Sequence, residues 1–128
     1  MDLMDFGIMD TEKGRLRIVQ EMVPGKQITL AHIIANPDEI IYRKLGLDPR
    51  ENHSEQAIGV LSLIPSEIAI IAADIALKSA DVKMEFIDRF TGTLVFTGTV
   101  SSTEVAINCI QTYLKEKLEF STCETTMT

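Results

Sequence analysis

Ser66–Ala80 reads SEIAIIAADIALKSA, and its apolar residues run almost completely round a helix. Glu67, Asp74, Lys78 and the following Asp81 fall seven, four and three residues apart, which at about 3.6 residues per turn gathers them into one thin stripe. A helix on the surface of a small domain carries a broad polar face. This one needs cover on more than one side, from its own sheet and from a neighbouring subunit, because 128 residues cannot build a core that encloses it outright. The pattern predicts a protein that assembles.

Immediately before the helix, Ala57–Ile64 (AIGVLSLI) is a nearly unbroken apolar run, as in a strand covered on both faces. Pro65 then opens the helix with a fixed φ. After it, Val82–Phe90 sets Val82, Met84 and Phe86 against Lys83 and Glu85, a strand with one wet or interface-facing side. Thr91-Gly92 turns the chain into a strand over Thr93–Thr97. Ser101 and Glu104 have capping-box spacing, and Val105, Ala106, Cys109, Ile110, Tyr113, Leu114 and Leu118 form an apolar stripe at helical spacing. The Thr-rich tail Glu119–Thr128 reads as extended. From Ala57 the order is β-α-β-β-α-β, an α+β, ferredoxin-like arrangement of one sheet backed by two helices.

An extra strand-helix unit precedes that core. Ile28–Ala35 is a strand rich in β-branched residues, Asn36-Pro37 ends it, and a helix follows with Asp38 and Glu39 in its first turn and Gly46 at its C′ position. Leu47–Gln56 reads as a surface loop. Arg17–Val23 reads as a short strand stopped by Pro24-Gly25. Residues 1–14 read as a flexible extension and 15–128 as one domain.

The net charge of −7 excludes a phosphate-neutralising surface, so nucleic acid is not an expected partner. No apolar stretch is long enough to span a bilayer, because Asp74 and Lys78 interrupt the best candidate. The acidic N-terminus MDLMDFGIMD lacks the basic and apolar regions of a secretory signal, which makes the cytoplasm the expected compartment. Cys109 and Cys123 are too far apart for a zinc or redox motif, and His32 and His53 have no third ligand at readable spacing. The Gly25-Lys26 pair lacks the rest of a phosphate loop, and no nucleophile motif occurs. No catalytic, metal or cofactor-binding residue is expected.

The phrases AIGVLSLIP, AADIALKSADV, FIDRFTGTLVFTG and VSSTEVAI resemble a bacterial microcompartment shell domain. The segment ITLAHIIANPDEIIYRKLG resembles the strand and short helix that end ordinary members of that family, here moved to the front as in a circular permutation. With VPGKQITLAHIIANP, the chain is similar to the permuted single-domain shell proteins of ethanolamine, propanediol and choline compartments. The resemblance implies a non-enzymatic homohexamer that tiles with other shell proteins into a microcompartment shell.

It also implies positions. Lys78 falls where such proteins place a hexamer-edge lysine; read alone, it is equally a solvated cation at a helix end, paired with Asp74. Arg89, Phe90, Thr91 and Gly92 fall in the turn that lines the symmetry axis, where ordinary members use small residues to leave a pore; read alone, Thr91-Gly92 is a hairpin turn and Phe90 is core. The strand residues Ile18, Val19, Gln20, Glu21, Met22 and Val23 match a segment that joins its symmetry mates into a small β-barrel capping the axis, which would bury their apolar side chains. A second function class stays open, a ferredoxin-like binding module that senses a small molecule or docks targeting peptides of encapsulated enzymes.

Overall fold

Ala57–Ile64 forms the central strand, here β2, with one face fully buried and the other covered at Ile58 but open at Ile64. Its Ala57, Leu61 and Leu63 side chains enter a core shared with Phe96, Ile107 and Leu114, while Ile58 packs on the other face with Tyr42 and Val95. The structure is a computed structural model that describes residues 25–46 and 56–128. The expected extension, the strand Arg17–Val23 and most of the loop at 47–56 lie outside the described residues.

The other elements are β1 (Gln27–Ile34), α1 (Glu39–Lys44), α2 (Ile68–Ser79), β3 (Lys83–Asp88), β4 (Thr93–Gly98), α3 (Val100–Leu118) and β5 (Thr126–Met127). They form a mixed five-stranded sheet in the order β3-β4-β2-β1-β5. Strands β1 and β4 flank β2 antiparallel, β3 pairs antiparallel with β4, and β5 runs parallel to β1. Helices α2 and α3 cover one face. Helix α1 covers part of the other through Tyr42, whose hydroxyl donates to the Gln56 carbonyl at 2.7 Å.

The tail is not the fourth ferredoxin strand that its position after α3 suggests. That slot beside β2 belongs to β1, the strand that comes first, and the tail adds only a two-residue strand outside it. Composition explains the choice. The sequence of β1 buries Ile28, Ala31 and Ile33, whereas the Thr-rich tail buries only Phe120 and part of Cys123.

Helix α3 begins earlier than the expected capping box. Thr99, not Ser101, is its N-cap, and the Thr99 hydroxyl accepts from the Ser102 amide at 3.1 Å. Its buried side is Thr103, Ala106, Ile107, Ile110 and Leu114, so Val105 and Tyr113 face outward. The alternation expected along β3 is broken by a register shift between Met84 and Phe86, which leaves Phe86 and Ile87 exposed.

Candidate functional site

Helix α2 seats Ala69, Ala72, Ala73 and Ala76 against the core, and these small side chains let the helix lie close to its neighbours. Its remaining apolar residues are left uncovered: Ile70, Ile71 and Leu77 are about half exposed, Leu77 by 52%. One chain therefore satisfies one side of this helix, and the second side remains available to another molecule.

Lys78 lies on that open part of α2. Its ammonium meets the Asp74 carboxylate at 2.8 Å, one helical turn back, with both side chains mostly exposed. The hydrogen bond from Lys78 to Asp74, together with the charge of Asp74, holds the lysine above its ordinary value, and the Tyr113 hydroxyl on α3 adds a smaller contribution. Beside Tyr113, a shallow groove of about 310 Å³ runs along the outer side of α3 between Cys109 and Lys117.

The hairpin between β3 and β4 is built by Asp88. Its carboxylate accepts from the Phe90 amide at 2.9 Å and the Thr91 amide at 3.3 Å, and its carbonyl accepts from the Gly92 amide at 2.8 Å. The Phe90 amide, followed by the Thr91 hydroxyl and amide, holds the Asp88 carboxyl below the usual carboxylate range. Gly92 has φ of +79°, and a Cβ there would collide with the Leu63 carbonyl. The Gly92 carbonyl in turn accepts from the Leu63 amide at 2.9 Å, pinning the hairpin to the end of β2.

Phe90 is not core. It is 80% exposed at the tip of this turn, with the Arg89 guanidinium 5.0 Å from its ring centroid. The register pairs Gln27 of β1 with Ile64 and Ser62 of β2 with Thr93. The start of β1 thus lies at the same end of the sheet as Phe90. The barrel positions Ile18, Val19, Gln20, Glu21, Met22 and Val23 lie outside the described residues.

Sequence reasoning passed over the contacts of four polar residues, Asp88, Lys26, His32 and Gln111. Asp88 was legible as an acceptor at the start of a turn. Lys26, read only as a failed phosphate loop, donates to the Leu118 carbonyl at 3.2 Å and caps the C-terminus of α3. His32 lies between the Thr126 and Thr128 hydroxyls at 2.6 and 2.9 Å, and Gln111 holds Cys123 and Thr125, so the tail is fixed by polar clamps. These last contacts span more than ninety residues in the case of His32, and no local pattern announces them. Among the described residues no group of three or more His, Cys, Asp or Glu side chains is placed to hold a metal, and no helix is long and apolar enough to cross a membrane.

The BMC domain profile matches residues 57–125. The chain is 50% identical over 120 residues to the bacterial microcompartment shell protein PduU of Salmonella typhimurium, across 94% of this chain and 100% of that one. It is 52% identical over 115 residues to the shell protein CutR of Streptococcus intermedius, across 89% of this chain and 95% of that one. A solved flat hexamer of CutR superposes with a TM-score of 0.75 at 52% identity, covering 88% of this chain and 92% of that one. This chain belongs to the BMC domain family of bacterial microcompartment shell proteins. Its role is structural, as a component of the shell.

Proposed function

We propose that this chain is a circularly permuted shell tile that forms a homohexamer, meets neighbouring hexamers along an edge containing Lys78, and brings the Arg89–Gly92 turns of six copies together at the symmetry axis. The observation that supports it is the exposure of Phe90, Ile70, Ile71 and Leu77, large apolar side chains that one chain leaves in water and an assembly would cover. The placement of β1 in the slot next to β2 supports the permutation. The described chain begins at the end of the sheet that carries Phe90, so Ile18–Val23 is within reach of the axis turn. There it would close with its symmetry mates into a barrel that caps the axis and limits diffusion. Lateral partners would be further copies and other shell proteins.

Native mass spectrometry of the full chain, and of a variant lacking residues 1–24, tests this reading. A hexamer in both supports a tile held by its α2 faces with the N-terminal strand as an accessory cap. A monomer or trimer for the full chain would remove the hexamer.

A further inference from the structure

We propose that the groove between α3 and the tail is a binding site for a small polyhydroxy carboxylate, held at Lys115 by charge and along the helix by hydroxyl and amide side chains. The groove has a volume of about 420 Å³, within the range of small-molecule sites, about 300 to 1,000 Å³. Its lining includes neither Lys78 nor the Arg89–Gly92 turn, so the inference stands apart from the tiling reading above. One wall is a face of α3, where Asn108, Thr112 and Lys115 recur at helical spacing. From the first to the last that wall runs about 10 Å, at about 1.5 Å per residue. The other wall is the tail, and Gln111 holds it in place. The Gln111 side-chain amide donates to the Thr125 hydroxyl at 3.0 Å, and its carbonyl oxygen accepts from the Cys123 amide at 3.0 Å. Both ends of Gln111 thus fix the wall, and no ligand is needed to order it.

The lining sets the ligand class. The side chains of Asn108, Thr112 and Thr122 both donate and accept, which matches hydroxyl groups. Lys115 only donates, and among the described residues it forms no ion pair. No Asp or Glu lines the groove, in a chain that carries 19 of them and a net charge of −7. The complement of Lys115 is therefore an anionic acceptor, and a carboxylate supplies one. A cation meets an uncompensated ammonium there, and an apolar compound leaves the amide and hydroxyls without partners.

The test is a saturation-transfer NMR titration of the full chain with gluconate at neutral pH and low ionic strength. The expected result is saturable binding, weakened by at least about tenfold in Lys115→Gln, as loss of a charge-assisted hydrogen bond requires. Sorbitol, which offers the hydroxyls without the carboxylate, is expected to bind the parent at least about tenfold more weakly than gluconate. Lys117→Gln removes the same charge from the adjacent groove and leaves the affinity unchanged. Absence of saturable binding, equal affinity for sorbitol, or an unchanged affinity in Lys115→Gln overturns the site. An equal loss in Lys117→Gln overturns it as well, by reducing it to general attraction for anions.

A second variant tests the hydroxyl half of the ligand. Thr112→Val keeps the side-chain shape and removes one hydroxyl from the helical wall. It is expected to weaken gluconate severalfold and to leave acetate, the carboxylate alone, unchanged. Thr112, Lys115 and Lys117 are all exposed, so these variants keep the parent fold. An unchanged gluconate affinity in Thr112→Val overturns the polyhydroxy assignment.

Discussion

The Lys26 ammonium donates to the Leu118 carbonyl at 3.2 Å, joining the residue before β1 to the last turn of α3. Ser121 strengthens the junction, its amide donating to the Lys26 carbonyl at 2.9 Å. The start of the described chain and the start of its tail are thus held at one point. A cation at a helix C-terminus contributes about 0.3 to 1 kcal/mol. Lys26→Met is expected to lower stability by that amount, read as a shift in the urea midpoint, with the slope unchanged. A midpoint identical to the parent would mean that water caps the helix equally well.

Asp88 gives the β3–β4 turn a pH dependence of defined sign. Its folded pKa lies below its unfolded value, so the stabilisation is fully present at neutral pH and is lost as acid carries the carboxyl through its depressed folded value. Asp88→Asn should be less stable than the parent at neutral pH, and the gap should narrow as the pH falls below the ordinary carboxylate value of about 3.9 and the parent's carboxyl protonates. A gap that stays constant across that range would contradict the assignment.

Lys78→Asp places two carboxylates one helical turn apart where an ion pair now stands. If Lys78 lies at the proposed edge, outside the contacts that hold one hexamer together, hexamers should survive. Sheets of hexamers should fail to form, as seen by electron microscopy and sedimentation. Unchanged sheets and unchanged incorporation into shells would take Lys78 off the edge.

The two sides of α3 should respond differently to truncation. Ile107→Ala opens a cavity at a fully buried position and should cost about 2 to 5 kcal/mol. Val105→Ala, at an exposed position, should change folding stability by no more than about 0.5 kcal/mol. Denaturant midpoints of the two variants, compared under one set of conditions, check the orientation of the helix.

The strands and helices were legible where one period dominated. Ala57–Ile64 is the strand expected, although one of its faces is open at Ile64, and Gly46 closes α1 with φ of +77°. The orientation of α3 was harder, because Val105, Cys109 and Tyr113 form a second apolar stripe beside the buried one. Periodicity cannot tell a core stripe from one left on the surface. Phe90 shows the same limit: by composition alone an aromatic residue reads as core, and only the turn geometry set by Asp88 and Gly92 puts it in water. The position of the tail was illegible locally, since the competition between β1 and the tail for the slot beside β2 is settled by side chains far apart in sequence.

The clamp between His32 and Thr126 joins residues 94 positions apart. During synthesis β1 leaves the ribosome long before the segment that lines its outer edge, and that edge must wait with unpaired amides and carbonyls until the tail arrives. The sheet is therefore closed by one of its last-made pieces, and the window between the two is when a nascent chain is most open to pairing with the wrong neighbour.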